Sequence, residues 1–158
     1  MRLILRRPEP AADVWRYPGE AGSGPQVLTL AELTAGAAAA GALGVLIGPT
    51  DDVRLLAPYL GRLTLVVVQF EKLGDGRGYS QAQVLRQQVG YRGELRASGA
   101  LKRDHMYLLA RCGFDAFELD PSEDGQGAWA QLERFSVAYQ ASSGTLVHPH
   151  LKGAALGS

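Results

Sequence analysis

The run Leu63-Thr64-Leu65-Val66-Val67-Val68-Gln69-Phe70, followed at once by Glu71-Lys72-Leu73-Gly74-Asp75-Gly76-Arg77-Gly78-Tyr79-Ser80, decides the fold. Its first half is almost continuously apolar and β-branched, which suits a parallel strand covered on both faces. Its second half is a glycine-rich bend opening into a helix, so the two together read as the start of a strand–helix crossover. Ser80 and Gln83 have capping-box spacing, which predicts a helix from Ser80 with Ala82, Leu85 and Val89 on one face.

The same alternation continues outward. Leu43–Ile47 is a buried strand closed by Gly48-Pro49, and Thr50-Asp51-Asp52 opens a helix to about Leu60 with its acids against the helix dipole. On the other side, Leu95–Ser98 predicts a strand and Leu101–Cys112 a helix whose apolar stripe carries Leu101, His105, Leu108 and Cys112. Phe114–Leu119 predicts a strand, and Asp120-Pro121-Ser122-Glu123 a helix start. That helix carries Trp129 and Leu132, and the alternation of Phe135, Val137 and Tyr139 predicts a last strand over 135–140. In the front, Leu3-Ile4-Leu5 and Val14–Tyr17 are strand-like, and Pro18 to Pro25 is a loop. Thr29 and Glu32 form a capping box opening an Ala-rich helix that Gly41 or Gly44 ends.

The expected class is therefore α/β. Repeated strand–helix units form a mainly parallel sheet, open or half-barrel-like, with a short β-rich N-terminal extension. Residues 1–140 are expected to form a single domain and 141–158 a loose tail, consistent with one core for a chain of 158 residues.

Composition narrows the function. Hydrophobic residues make up 46% and charged residues 20%, as in a globular protein rather than a disordered one. Sixteen Lys/Arg against sixteen Asp/Glu leave no net charge for a general grip on nucleic acid. No apolar run approaches the ~20 residues of a membrane span, and the N-terminus lacks a signal-peptide core, so a cytoplasmic location is expected. A single cysteine, Cys112, excludes an internal disulfide, a Cys-x-x-Cys pair and an all-cysteine cluster within one chain. His148 and His150 lie in the tail without partner acids, so no metal site is expected. The charge is uneven, however. Residues 70–114 hold eight basic and four acidic side chains, and residues 115–158 hold two basic and six acidic. A basic middle suggests an acidic partner or an anion; the alternative is a set of solvated helix faces.

Ligands of parallel α/β sheets bind beyond the carboxyl ends of the strands. Of the loops there, Asp75-Gly76-Arg77-Gly78-Tyr79-Ser80 is richest in chemistry. Gly76 and Gly78 allow close backbone approach, Arg77 can clamp an anion, and Ser80 is placed to cap the helix. The spacing is neither a dinucleotide fingerprint nor a P-loop, and no cofactor is implied. The other reading is a tight turn in which Asp75 bonds local backbone and Tyr79 packs. Asp75, Asp104 and Glu118 are the acid–base candidates, and Arg96 is a second anion- or partner-binding group. His105 is either a half-buried packing residue or a base, and Cys112 either a core hydrophobe or, beside Arg111, a reactive thiol.

The strings Asp75–Ser80, Leu85-Arg86, Tyr91-Arg92-Gly93-Glu94-Leu95-Arg96-Ala97, Arg111–Phe117 and Phe135–Gln140 resemble one bacterial family of unknown function. Its genes often lie beside those of the sulfite/nitrite reductase haemoprotein, and it carries the label of an oxidoreductase involved in sulfite reduction. The resemblance covers about residues 63–140. It implies a role in assimilatory sulfate and sulfite reduction. At two helix entries the chain departs from the family, with Gly99-Ala100 for its Gly-Asp and Asp104-His105 for its Asp-Gln. The residues themselves supply no set to carry electrons. The expectation is an accessory protein that binds the reductase, or a partner of it, through the basic middle. The alternative is an enzyme that binds a small oxyanion or phosphorylated substrate with Arg77 and Arg96. A homodimer covering a curled sheet's apolar edges is a third.

Overall fold

Five parallel strands in unbroken sequence order make the frame. The structure, a computed structural model, describes residues 2–6, 10–37, 41–72 and 75–143. Strands β1 (Leu3–Leu5) and β2 (Ala11–Ala12) precede β3 (Gln26–Thr29), α1 (Leu30–Thr34) and β4 (Leu43–Ile47). A 3₁₀ helix (Val53–Tyr59), β5 (Leu63–Gln69) and α2 (Arg77–Val84), which runs into a π turn (Leu85–Val89), follow. The chain continues through β6 (Glu94–Leu101), α3 (Arg103–Arg111), β7 (Ala116–Leu119) and α4 (Gly125–Ser143). The sheet order is β2-β1-β7-β6-β5-β4-β3, with β3 to β7 parallel and β1 antiparallel to both β7 and β2.

Sequential order has a consequence. Crossovers of one hand that always step the same way put every helix on the same face of the sheet. The main core shows it: Val45, Ile47, Val66, Val68, Leu95, Ala97 and Phe117 pack with Leu33, Leu56, Leu85, Leu109 and Trp129 of the helices. The sheet curls as a half-barrel, and among the described residues its inner face carries no helix. The N-terminal strap covers that face in part. Trp15 and Tyr17, together with Leu46, pack on Val27, Leu65 and Val67. Trp15 lies so close that a Cβ at Gly44 would sit 3.0 Å from its ring. Beneath Tyr17, the fully buried Arg96 bonds Asp13 (3.0 Å), Glu94 (2.9 Å) and the Tyr17 hydroxyl (3.2 Å). Arg2 bonds Asp13 and stands 3.7 Å over the Tyr17 ring.

Several expectations are corrected. Val14–Tyr17 is not a strand; it pairs only at Arg16, with Gln26. The first parallel strand is β3, which the loop-like composition around Pro25 conceals. Thr29 does make the capping box with Glu32, but α1 ends at Thr34. Helix α2 starts at Arg77, not Ser80, because Asp75 accepts from the Arg77 amide (3.0 Å) and supplies the local stop that a Ser80 cap was expected to give. In α3 the buried stripe is Met106, Leu109 and Ala110, and Leu108 is 49% exposed. Residues 135–140 continue α4 instead of forming a strand. The period-2 pattern there is a chance feature of a helix, which local alternation over six residues does not exclude. Most of the expected tail, with His148 and His150, lies outside the described residues.

Candidate functional site

The glycine bend leaves β5 at the carboxyl end of the sheet, where the parallel-sheet argument puts a site, and it is not sealed. Gly76, Arg77 and Ser80 are exposed, Asp75 and Tyr79 are half-buried, and Gly78 is buried. Each has an identifiable job. Gly78 lies against Phe70, where a Cβ would come within 2.4 Å of the ring, so its glycine serves packing. Tyr79 meets the same ring edge-on at 5.2 Å. Gly76 faces open space at φ −71, with no packing or backbone demand for glycine. Ser80 is inside the helix, its amide bonded to the Gly76 carbonyl (3.2 Å). Arg77 donates to Asp75 through Nε and Nη2, at 2.9 and 2.6 Å. That pairing holds the Asp75 carboxyl down to about 2. The negative group nearest the guanidinium is thus part of the same bend.

Across from this bend stands the segment after β4. Together they border a shallow, open cleft lined by Thr50, Asp51, Asp52, Arg54, Arg77 and Gln81 among others. Asp51 accepts from the Gly48 amide (2.8 Å), and Asp52 caps the 3₁₀ helix at Arg54 N (3.0 Å). Gln81 ties the walls together, its Nε2 donating to the carbonyls of Gly48 (2.8 Å) and Asp51 (3.0 Å).

The remaining candidates fall elsewhere. Arg96 sits on the inner face of β6, under the strap, and does not share a site with Arg77. Asp104 is exposed in the first turn of α3. Glu118 is on the inner face of β7, where Ser98 Oγ donates to it. Gln69, paired in register with Ser98, is exposed on the same face. Three neighbouring strands therefore each place a polar side chain on the inner face toward their carboxyl ends. Of these, only Glu118 was named from the sequence. The signal for the other two is the strand period itself, since Leu65, Val67 and Gln69 share a face, as do Glu94, Arg96 and Ser98. Gln81 has no comparable signal, because its partners lie about thirty residues upstream. Cys112 is buried, and burial raises its thiol above the ordinary value. Among the described residues, no group of His, Cys, Asp and Glu is placed to hold a metal ion.

The basic middle has partners within the chain. Arg86 reaches Asp115 (3.4 Å), Lys102 reaches Asp120 (3.3 Å) and Arg103 reaches Glu123 (3.3 Å). Each joins the basic stretch 70–114 to the acidic stretch after it, so much of the unevenness in charge is settled by folding.

The family model described as "Bacterial protein of unknown function (DUF934)" matches residues 44–148. The chain belongs to that family. The matched stretch begins in β4 and takes in the cleft, the inner-face row and α4, while the strap and β1 to β3 precede it. Neither the curated proteins nor the solved structures contain a match to the chain. No helix among the described residues is long and apolar enough to cross a membrane.

Proposed function

We propose that the chain is a cytoplasmic accessory protein of assimilatory sulfate and sulfite reduction. It binds the sulfite/nitrite reductase haemoprotein, or a partner of it, through the loops at the carboxyl ends of the strands. The strings from Asp75 to Gln140 that resemble the reductase-neighbouring family support the pathway. The observation that carries the contact surface is the exposure of Arg77 and Arg54, at 57% and 63%, around one cleft at that end of the sheet. Their partners Asp75 and Asp52 are themselves partly exposed, and ion pairs in such settings are worth about 0–1 kcal/mol, so a partner's carboxylates displace them at little cost. Because three other basic groups are matched internally, the contact depends on salt less steeply than one driven by net charge. Co-purification with the reductase at low and high salt tests it. Retention at low salt that is lost in Arg54→Glu/Arg77→Glu supports the reading, and absence at both salts overturns it.

A second reading is an enzyme for a small oxyanion or phosphorylated substrate. It is favoured by the Ser98–Glu118 hydrogen bond beside Gln69 on the inner face, where half-barrel strands present side chains to a substrate. Glu118 is then the acid–base group. Arg77 and Arg96 stand on different faces, so they do not converge on one anion. Titration with phosphate and with sulfite separates this reading from docking: binding that changes in Glu118→Gln and persists in Arg54→Glu/Arg77→Glu supports it, and no binding to the wild-type chain overturns it.

A further inference from the structure

Gln81 has an atom that docking leaves unexplained. The residue is 8% exposed, and its Nε2 donates to two carbonyl oxygens, which fixes the orientation of the amide because carbonyls only accept. Its Oε1 is buried and has no donor among the described residues. A buried acceptor without a donor is unfavourable, and most such atoms in native proteins are satisfied. The side chain lines the cleft between the Asp51–Arg54 segment and the start of α2.

The charges around that cleft say what can satisfy it. Arg54 and Arg77 face Asp51, Asp52 and Asp75, one more carboxylate than guanidinium. Each guanidinium already rests on a carboxylate, at 2.6 Å for Arg77–Asp75 and 3.6 Å for Arg54–Asp52. A bare oxyanion offers no donor to Gln81 and meets the surplus carboxylate. A lone cation satisfies the oxygen but leaves the guanidinium groups unused. A molecule with both charges exchanges each exposed pair for an equivalent one and supplies the missing donor.

We propose that this cleft binds a small zwitterion carrying a primary ammonium and a carboxylate, the chemistry of a free α-amino acid. Gln81 Oε1 and the cleft carboxylates receive the ammonium, and Arg77 clamps the carboxylate. The cleft is shallow and open, so a ligand this small is held by its charged ends rather than by enclosure. Because Oε1 is buried in the free chain, binding requires a neighbouring part of the cleft wall to move aside. The Asp75–Arg77 bend, held by a local, exposed pair, is the part of the lining assigned that movement. The site shares Arg77 and the cleft with the proposed docking surface, but the inference does not rest on docking, and its test contains no reductase.

The experiment is calorimetric titration of the full chain with the twenty standard L-amino acids singly, with acetate, methylammonium and sulfate as single-charge probes. At least one amino acid is expected to saturate with Kd of about 1 mM or tighter, with every single-charge probe at least about tenfold weaker. Arg77→Ala changes an exposed residue, so it retains the wild-type circular dichroism spectrum and weakens binding about tenfold or more. Gln81→Leu removes binding as well, but it also strips the donor from two carbonyls, so Arg77→Ala decides the matter. The proposal is overturned if no amino acid saturates below about 50 mM, if acetate or sulfate binds as tightly as the best amino acid, or if Arg77→Ala leaves affinity unchanged.

Discussion

Arg77 and Asp75 show how far a short motif can be read. The sequence of the bend predicts exposed amides and a guanidinium at the carboxyl end of a central strand, and the structure has the bend there. What the motif does not reveal is that Asp75 both stops the backbone and holds the guanidinium, because that choice depends on side-chain torsions rather than spacing. Asp115 illustrates the opposite case, a residue with no motif whose environment matters. Burial raises its carboxyl to about 6 despite Arg86 nearby, against an ordinary value of 3.8. A carboxyl raised on folding binds more protons folded than unfolded. Its contribution to stability is therefore complete below about pH 4 and lost as pH rises through about 6. Asp75 and Asp120, both lowered to about 2, contribute in the other direction, losing stability as pH falls through that value. The unfolding midpoint followed against pH should therefore peak near pH 4 and decline as pH rises from about 4 to about 6, and Asp115→Asn should flatten that alkaline decline. An unchanged alkaline limb in Asp115→Asn would count against this assignment.

Elements were legible where one physical signal dominated. β4 and β5 are continuous apolar runs, and the Thr29 box fixes the start of α1 within one residue. The failure in α3 is tertiary packing overriding a local pattern. α4 runs through an alternating stretch, and α3 turns Met106 inward and Leu108 outward because the sheet lies on the Met106 side. β6 is longer than its apolar run because it bulges, the residues from Ala97 to Leu101 facing only Phe117 to Leu119 on β7. Gly99 makes the bulge possible. It has φ +125, and a Cβ there would lie 2.5 Å from the Phe70 carbonyl oxygen. Gly99→Ala should cost about 2–4 kcal/mol in urea unfolding, from backbone strain plus the clash. Gly76→Ala, with open space and ordinary φ, should change stability by less than about 1 kcal/mol.

At the scale of the whole molecule, alternation of strands and helices gave the α/β class but not the curl. Periodicity records which residues face a core, and it does not record the order in which strands pair. The inner face is covered by residues far apart in the chain, Asp13 and Tyr17 meeting Arg96, and no local pattern announces that contact. The strap is held by charge as well as by Trp15. Arg96→Met would leave Asp13, whose side chain is 2% exposed, with Arg2 as its remaining cation partner among the described residues. Breaking a buried pair on one side costs about 3–5 kcal/mol, and adding Asp13→Asn should recover part of that loss in denaturant titrations. Full stability of the Arg96→Met single variant would show that the ion network does not hold the strap.

Hydrogen exchange on the chain with and without the reductase tests the central claim, that the carboxyl-end loops are the working surface, most directly. Slowed exchange concentrated in residues 48–54, 71–80 and 98–104 is the predicted result. Protection confined to the amino-end turns at 61–62, 90–93 and 113–115, or no protection at all, would contradict it.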